Sequence, residues 1–142
     1  MNILLVEDDY LLGRGTARLL EKLGGHRVRL THKAADVFKQ CESGSVDLVL
    51  MDINLPGTQW QGKEVTGVDL SRMLKSQKPT GHIPVILLTG HATTTDQRVF
   101  LKEAIADELC TKPITDYDAF LSLIDKVRAG YSAFHELTAS VS

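Results

Sequence analysis

The chain has 142 residues, 43% of them hydrophobic, with 16 Lys and Arg against 18 Asp and Glu for a formal net charge of −2. That length suits one ordinary domain with a single core, burying roughly 70% of the surface that the unfolded chain exposes. The near-neutral balance gives no general attraction to nucleic acid or to an anionic membrane surface, and no apolar stretch approaches the roughly 20 residues of a membrane-spanning helix. Cys41 and Cys110 lie far apart without CxxC spacing, so buried thiols are expected rather than a disulfide framework or a zinc site. The N-terminus, MNILLVEDDY, has no basic region ahead of its apolar residues and reads as cytoplasmic.

In chain order, ILLV at 3–6 reads as a short buried strand that stops at Glu7-Asp8-Asp9. Leu12, Leu19, Leu20 and Leu23 then share a helical face, with Gly24-Gly25 as the stop. A second strand is predicted around 26–30. A second helix follows, carrying Ala34, Val37, Phe38 and Cys41 at helical spacing and closing near Ser43-Gly44. A third strand, 46–51, runs out at Asp52. PGTQWQGKEVT, 56–66, has no periodicity and reads as an exposed loop, after which a short helix points Leu70, Met73 and Leu74 inward. IPVILL at 83–88 is a fourth strand, with Pro84 tolerable at its start. Thr93-Thr94-Thr95 offers a cap for a helix over roughly 94–105 whose apolar stripe is poorly formed. ELC at 108–110 is a marginal fifth strand, and Phe120, Leu123, Ile124 and Val127 define a last helix over about 115–129. Residues 130–142 read as a tail or the start of a linker, leaving 1–129 as the domain. Strands alternating with helices through right-handed crossovers imply an α/β doubly wound three-layer sandwich on a parallel five-stranded sheet.

In such a sheet the chemistry gathers at the carboxyl ends of strands. Glu7, Asp8 and Asp9 follow the first strand, Asp52 the third, Thr89 the fourth and Lys112 the fifth. Carboxylates brought together repel one another unless a hard divalent cation compensates them, which points to Mg²⁺. A nucleophilic carboxylate, a metal seat, a hydroxyl donor and a fixed ammonium make an inventory for phosphoryl transfer.

These segments resemble the receiver domains of two-component response regulators. LLVEDD (4–9), LVLMDINLP (48–56), VILLTG (85–90) and TKP (111–113) occur in that family's order and at about its spacing. The resemblance implies a flavodoxin-like (βα)₅ fold with strand order 2-1-3-4-5. It also implies a signalling phosphoacceptor rather than an enzyme, taking a phosphoryl group on Asp52 from a sensor histidine kinase or a histidine phosphotransferase. Asp8 and Asp52 would then bind Mg²⁺ directly, Glu7 through a water, and Asn54 through its backbone carbonyl. Thr89 corresponds to the switch hydroxyl and Lys112 to the conserved-motif lysine, with a cis bond to Pro113. Asp9 fits no ligand position and reads as an acidic start to a helix. The effector is unspecified, direct nucleic-acid or membrane contact is not expected, and a phosphorylation-linked dimer is among the associations the resemblance admits.

Two positions depart from the family pattern. Leu109 stands where an aromatic usually precedes the lysine by three residues, which implies a smaller or differently routed change on the face made by helix 4, strand 5 and helix 5. Gly67 lies fifteen residues after Asp52, further than in the pattern, so the loop holds an insertion that contains Trp60, the single tryptophan. Trp60 either docks a partner or folds down as a plug for its own loop. The resemblance places His91, with Asn54, near the path of the water that hydrolyses an acyl phosphate. The enzymatic rival, a haloacid-dehalogenase-type phosphatase, needs a second Asp at the position held by Asn54; a phosphorylation-independent binding module is the other rival.

Overall fold

The computed structural model describes residues 1–90 and 93–139; His91 lies outside them. Strands β1 (Asn2–Val6), β2 (Arg27–Thr31) and β3 (Leu48–Asp52) alternate with helices α1 (Tyr10–Gly24) and α2 (Ala34–Glu42). A two-stranded hairpin follows, β4 (Gln59–Trp60) and β5 (Lys63–Glu64), and then α3 (Gly67–Ser76), β6 (Val85–Thr89), α4 (Thr94–Ala104), β7 (Glu108–Thr111), α5 (Tyr117–Arg128) and α6 (Ala133–Ala139). The main sheet is parallel in the order β2-β1-β3-β6-β7. This is the expected 2-1-3-4-5 order, with the hairpin inserted between the third and fourth main strands.

Every residue of β3 and β6 is buried because helices cover both faces of the sheet. Alternating side chains go to opposite faces. Leu4, Val6, Val49, Met51, Val85 and Leu87 meet α2, α3 and α4, whereas Ile3, Leu5, Leu48, Leu50, Ile86 and Leu88 meet α1 and α5. The predicted inward residues of α2 are all buried, as are Leu70 and Leu74 of α3 and Phe120, Ile124 and Val127 of α5. Thr93 caps α4 as expected, and only Leu101 and Ala104 of that helix are buried.

The face of α1 differs from the leucine stripe. Its buried residues are Gly13, Thr16, Ala17 and Leu20, while Leu12, Leu19 and Leu23 are exposed. The reason is close approach: a β-carbon at Gly13 would come within 2.7 Å of the Leu30 side chain, so small residues set the contact and the bulkier leucines rotate outward.

The expected loop at 56–66 is also different. Thr58 and Val65 close a hairpin through the Val65 amide to the Thr58 carbonyl, and Gln61-Gly62 turns it with positive φ at both positions (52° and 78°). Two consecutive left-handed residues match the twist that a two-residue hairpin needs. Trp60 folds down rather than out, its ring 4.5 Å from that of Phe38 on α2. Thr58 is buried beneath it, with its hydroxyl donating to the His32 carbonyl at 3.5 Å. The insertion is therefore a tethered plate over α2.

Beyond α5, the Ala133 amide donates to the Asp107 carbonyl at 2.7 Å, and α6 packs against α4. Trp60→Ala should cost about 2 kcal/mol, below the roughly 3–5 kcal/mol of a fully buried aromatic. Urea unfolding checks this; unchanged stability would mean that the hairpin is not anchored through that ring.

Candidate functional site

The site is assembled by register. Val6 pairs with Met51, Asp52 with Leu88, and Thr89 with Thr111, so Glu7, Asp52, Thr89 and Lys112 all leave the sheet at one edge. They line a cleft of ≈ 560 Å³ together with Asp8, Asp9, Asn54, Thr66 and Phe100. Glu7, Asp8, Asp52, Asn54, Thr89 and Lys112 all lie on it, whereas Trp60 and Leu109 do not.

Asp52 is 3% exposed and Glu7 5%. The Lys112 ammonium bridges them, 2.8 Å from Asp52 Oδ2 and 3.1 Å from Glu7 Oε2. The other carboxylate oxygens are held by backbone: the Asn54 amide donates to Asp52 Oδ1 at 3.1 Å, and the Asp9 amide to Glu7 Oε1 at 3.1 Å. Lys112 is placed by its own amide, which donates to the Thr89 carbonyl at 2.7 Å, and by a cis bond to Pro113. Asp8 and Asn54 are exposed at the rim. Asp9 caps α1, accepting the Leu12 amide at 3.0 Å, which fits a helix start.

Burial raises the Glu7 carboxyl above its ordinary range, and the facing Asp52 carboxylate adds to the effect; the Asp9 amide and Lys112 offset it only in part. Burial pulls the Lys112 ammonium down, yet its hydrogen bonds to Asp52 and Glu7 outweigh this and leave it raised. The signs follow from proton linkage. Stability from Lys112 is fully present below its unfolded pKa and is lost as pH climbs through the higher folded value. Glu7 costs stability when ionised, so that cost is relieved as pH falls through its raised value.

Two contributors were not picked out from the sequence. Phe100 reaches the cleft from α4, where Gln97, Phe100, Leu101 and Ala104 recur at one-face helical spacing, a signal visible in the residues. Gly67 begins α3 directly over the Asp52 backbone: its amide donates to the Ile53 carbonyl, and a β-carbon there would lie 1.9 Å from the Asp52 carbonyl oxygen. Only glycine lets α3 come this close. Thr66 fixes the approach through a reciprocal cap with Asp69.

A model of the response regulator receiver domain matches residues 3–125. The chain belongs to that family. Among curated relatives, the aerobic respiration control sensor protein ArcB of Escherichia coli (strain K12) is 35% identical over 117 residues, covering 81% of this chain and 14% of that protein. The swarming motility regulation protein RssB of Serratia marcescens is 33% identical, covering 91% of this chain and 52% of that one. This receiver domain thus spans well under two thirds of the length of either relative. The solved receiver domain of sensor histidine kinase PA1611 from Pseudomonas aeruginosa PAO1, which carries a magnesium ion in its active-site cleft, superposes with a TM-score of 0.71 at 28% identity, covering 91% of this chain and 97% of that one. Among the described residues, no helix of this receiver domain is long and apolar enough to cross a membrane.

Lys112→Met leaves two buried carboxylates facing each other, and we expect a loss of about 3 kcal/mol at neutral pH, the lower end for breaking a buried pair because the lysine is partly exposed. The deficit should shrink as pH falls and Glu7 takes up a proton. Denaturant titrations across pH check it; a deficit independent of pH would contradict the charge argument. Gly67→Ala should cost up to about 3 kcal/mol through overpacking against rigid backbone, read the same way.

Proposed function

We propose that the chain is a phosphorylation-dependent signalling switch in which Asp52 is the phosphoacceptor, and not an enzyme with a separate substrate. The observation that carries this is the Lys112 bridge: a buried carboxylate held ready at a sheet edge, paired with a fixed cation and accompanied by a strand-end hydroxyl. The donor we assign is the phosphohistidine of a sensor kinase or histidine phosphotransferase. A carboxylate oxygen of Asp52 attacks phosphorus, the P–O bond of an acyl phosphate forms, the P–N bond breaks, and the leaving imidazole takes up a proton. Lys112 then trades part of its contact with Asp52 for the phosphoryl oxygens, and Thr89 donates its hydroxyl to one of them. The charge gathered on those oxygens is what both groups stabilise.

The donor set suits Mg²⁺. Glu7, Asp8 and Asp52 contribute carboxylates to one cleft and Asn54 lies beside them, all hard oxygen donors. Among the described residues no group of three or more His, Cys, Asp or Glu side chains forms a ready-made cage. When bound, the ion would neutralise charge on the transferring phosphoryl group. Tyr10, Leu11 and Leu12 present an exposed apolar surface at the start of α1, beside the cleft, which supports docking of a protein donor.

We further assign residues 1–129 to the receiver unit and 130–142 to a C-terminal segment beyond it. Incubation with acetyl phosphate and Mg²⁺ should add the mass of one phosphoryl group to the intact protein. Asp52→Asn, or chelation of the metal, should abolish the gain. Retention of the adduct in Asp52→Asn would place the acceptor elsewhere.

A further inference from the structure

A second cavity, of ≈ 1140 Å³ against ≈ 560 Å³ for the acidic cleft, runs along the edge strand β2 between α1 and the start of α2. The two cavities share Glu7 and Asp8 and no other residue. Because β2 ends the sheet, Val28 and Leu30 are only half-buried against the α1 side of the core, and with Ala17 and Ala35 they supply the apolar part of the lining. Tyr10 stands at the same groove with 64% of its surface exposed.

Four exposed cations border this apolar strip. Arg14 and Arg18 lie one turn apart on α1, Lys33 precedes α2 and Lys39 is on its body. Among the described residues none of the four makes an ion pair. Arg14 instead rests over the Tyr10 ring, 5.9 Å from its centroid. The acids on the lining are engaged in other ways. Glu7 holds Lys112, Glu21 accepts the Val28 amide at 3.4 Å, and Asp36 sits in the first turn of α2, where a helix start stabilises negative charge. Asp8 belongs to the end that the groove shares with the acidic cleft. The middle of the groove is left with positive charge above an apolar strip.

We propose that this groove is a binding site for a small phosphorylated ligand with a flat aromatic body, of the nucleotide class. Four unpaired cations reaching one cavity from two helices exceed what a single carboxylate can use. They match a group with several negative oxygens, for which arginine supplies a planar fork and lysine a point charge. Inorganic phosphate alone would use the cations and leave Val28, Leu30 and the Tyr10 ring uncovered. A flat body covers the two half-buried side chains and stacks on the tyrosine, joining apolar burial to charge pairing as small-molecule sites do.

The test is calorimetric titration of the full chain in EDTA, which keeps metal-bridged binding out of the acidic cleft. ATP, GTP, adenosine, tripolyphosphate and a hexaglutamate peptide are the probes. ATP or GTP should bind with a Kd of about 1 mM or tighter, and adenosine and tripolyphosphate at least about 10-fold more weakly than the nucleotide. Arg18→Ala with Lys33→Ala should weaken nucleotide binding by about 10-fold or more, through loss of two charge-assisted contacts, whereas Lys102→Ala on α4 should leave it unchanged. Circular dichroism on each variant confirms that it is folded. Failure of both nucleotides to bind at about 1 mM would overturn the site. Tripolyphosphate or hexaglutamate binding as tightly as the nucleotide would reduce it to a general anion patch and overturn the assignment, and undiminished binding by the double variant would move the ligand elsewhere. None of these outcomes depends on whether Asp52 accepts a phosphoryl group.

Discussion

Three charges meet where the ends of β1, β3 and β7 converge, and two of them are almost sealed from water. The side chains of Glu7 and Asp52 are 5% and 4% exposed, a setting in which buried charge is costly without a partner of opposite sign. Lys112 supplies it, and must arrive from the far edge of the sheet in the right register to do so. The parallel pairing of β6 with β7, the Lys112 amide on the Thr89 carbonyl and the cis Pro113 bond all serve that arrival. Sheet topology and site electrostatics are in this sense one constraint. A strand slipped by one residue would send Lys112 to the opposite face and strand two carboxylates in a dry cleft.

Much of this was readable in the residues because the signals are local. Short apolar runs that end in acid, hydroxyl or Lys-Pro mark both strand and site, and the buried runs 48–52 and 85–89 leave little freedom for another assignment. What was not readable depends on distance of approach. The leucines of α1 outweigh Gly13, Thr16 and Ala17 in hydrophobicity, yet the small residues face the sheet because Leu30 lies so near. The hairpin at 59–64 escaped notice because Gln-Gly is a weaker turn signature than Asn-Gly, and because its strands are only two residues long. Gly67 looked like the start of a helix, and nothing in the sequence says that a carbonyl oxygen occupies the space its side chain would fill.

The two halves of the molecule differ in how tightly they are held. On one side, α3 is bound to the α4–β7 connection by Ser71 donating to the Ala104 carbonyl and by Lys75 clamping Asp107, giving a stiff joint below the sheet. Above that joint α4 rises with little buried surface of its own. A rigid base under a helix with little buried surface confines local opening to the part that costs least to move.

Trp60 carries a practical corollary. It is the single indole in the chain, and it lies against Phe38 on α2 rather than in the cleft. Intrinsic tryptophan emission will therefore watch the inserted plate and the helix beneath it. A flat fluorescence trace on adding a phosphodonor would be silent about the acidic pocket, and an optical reporter of that pocket has to be installed on the cleft itself.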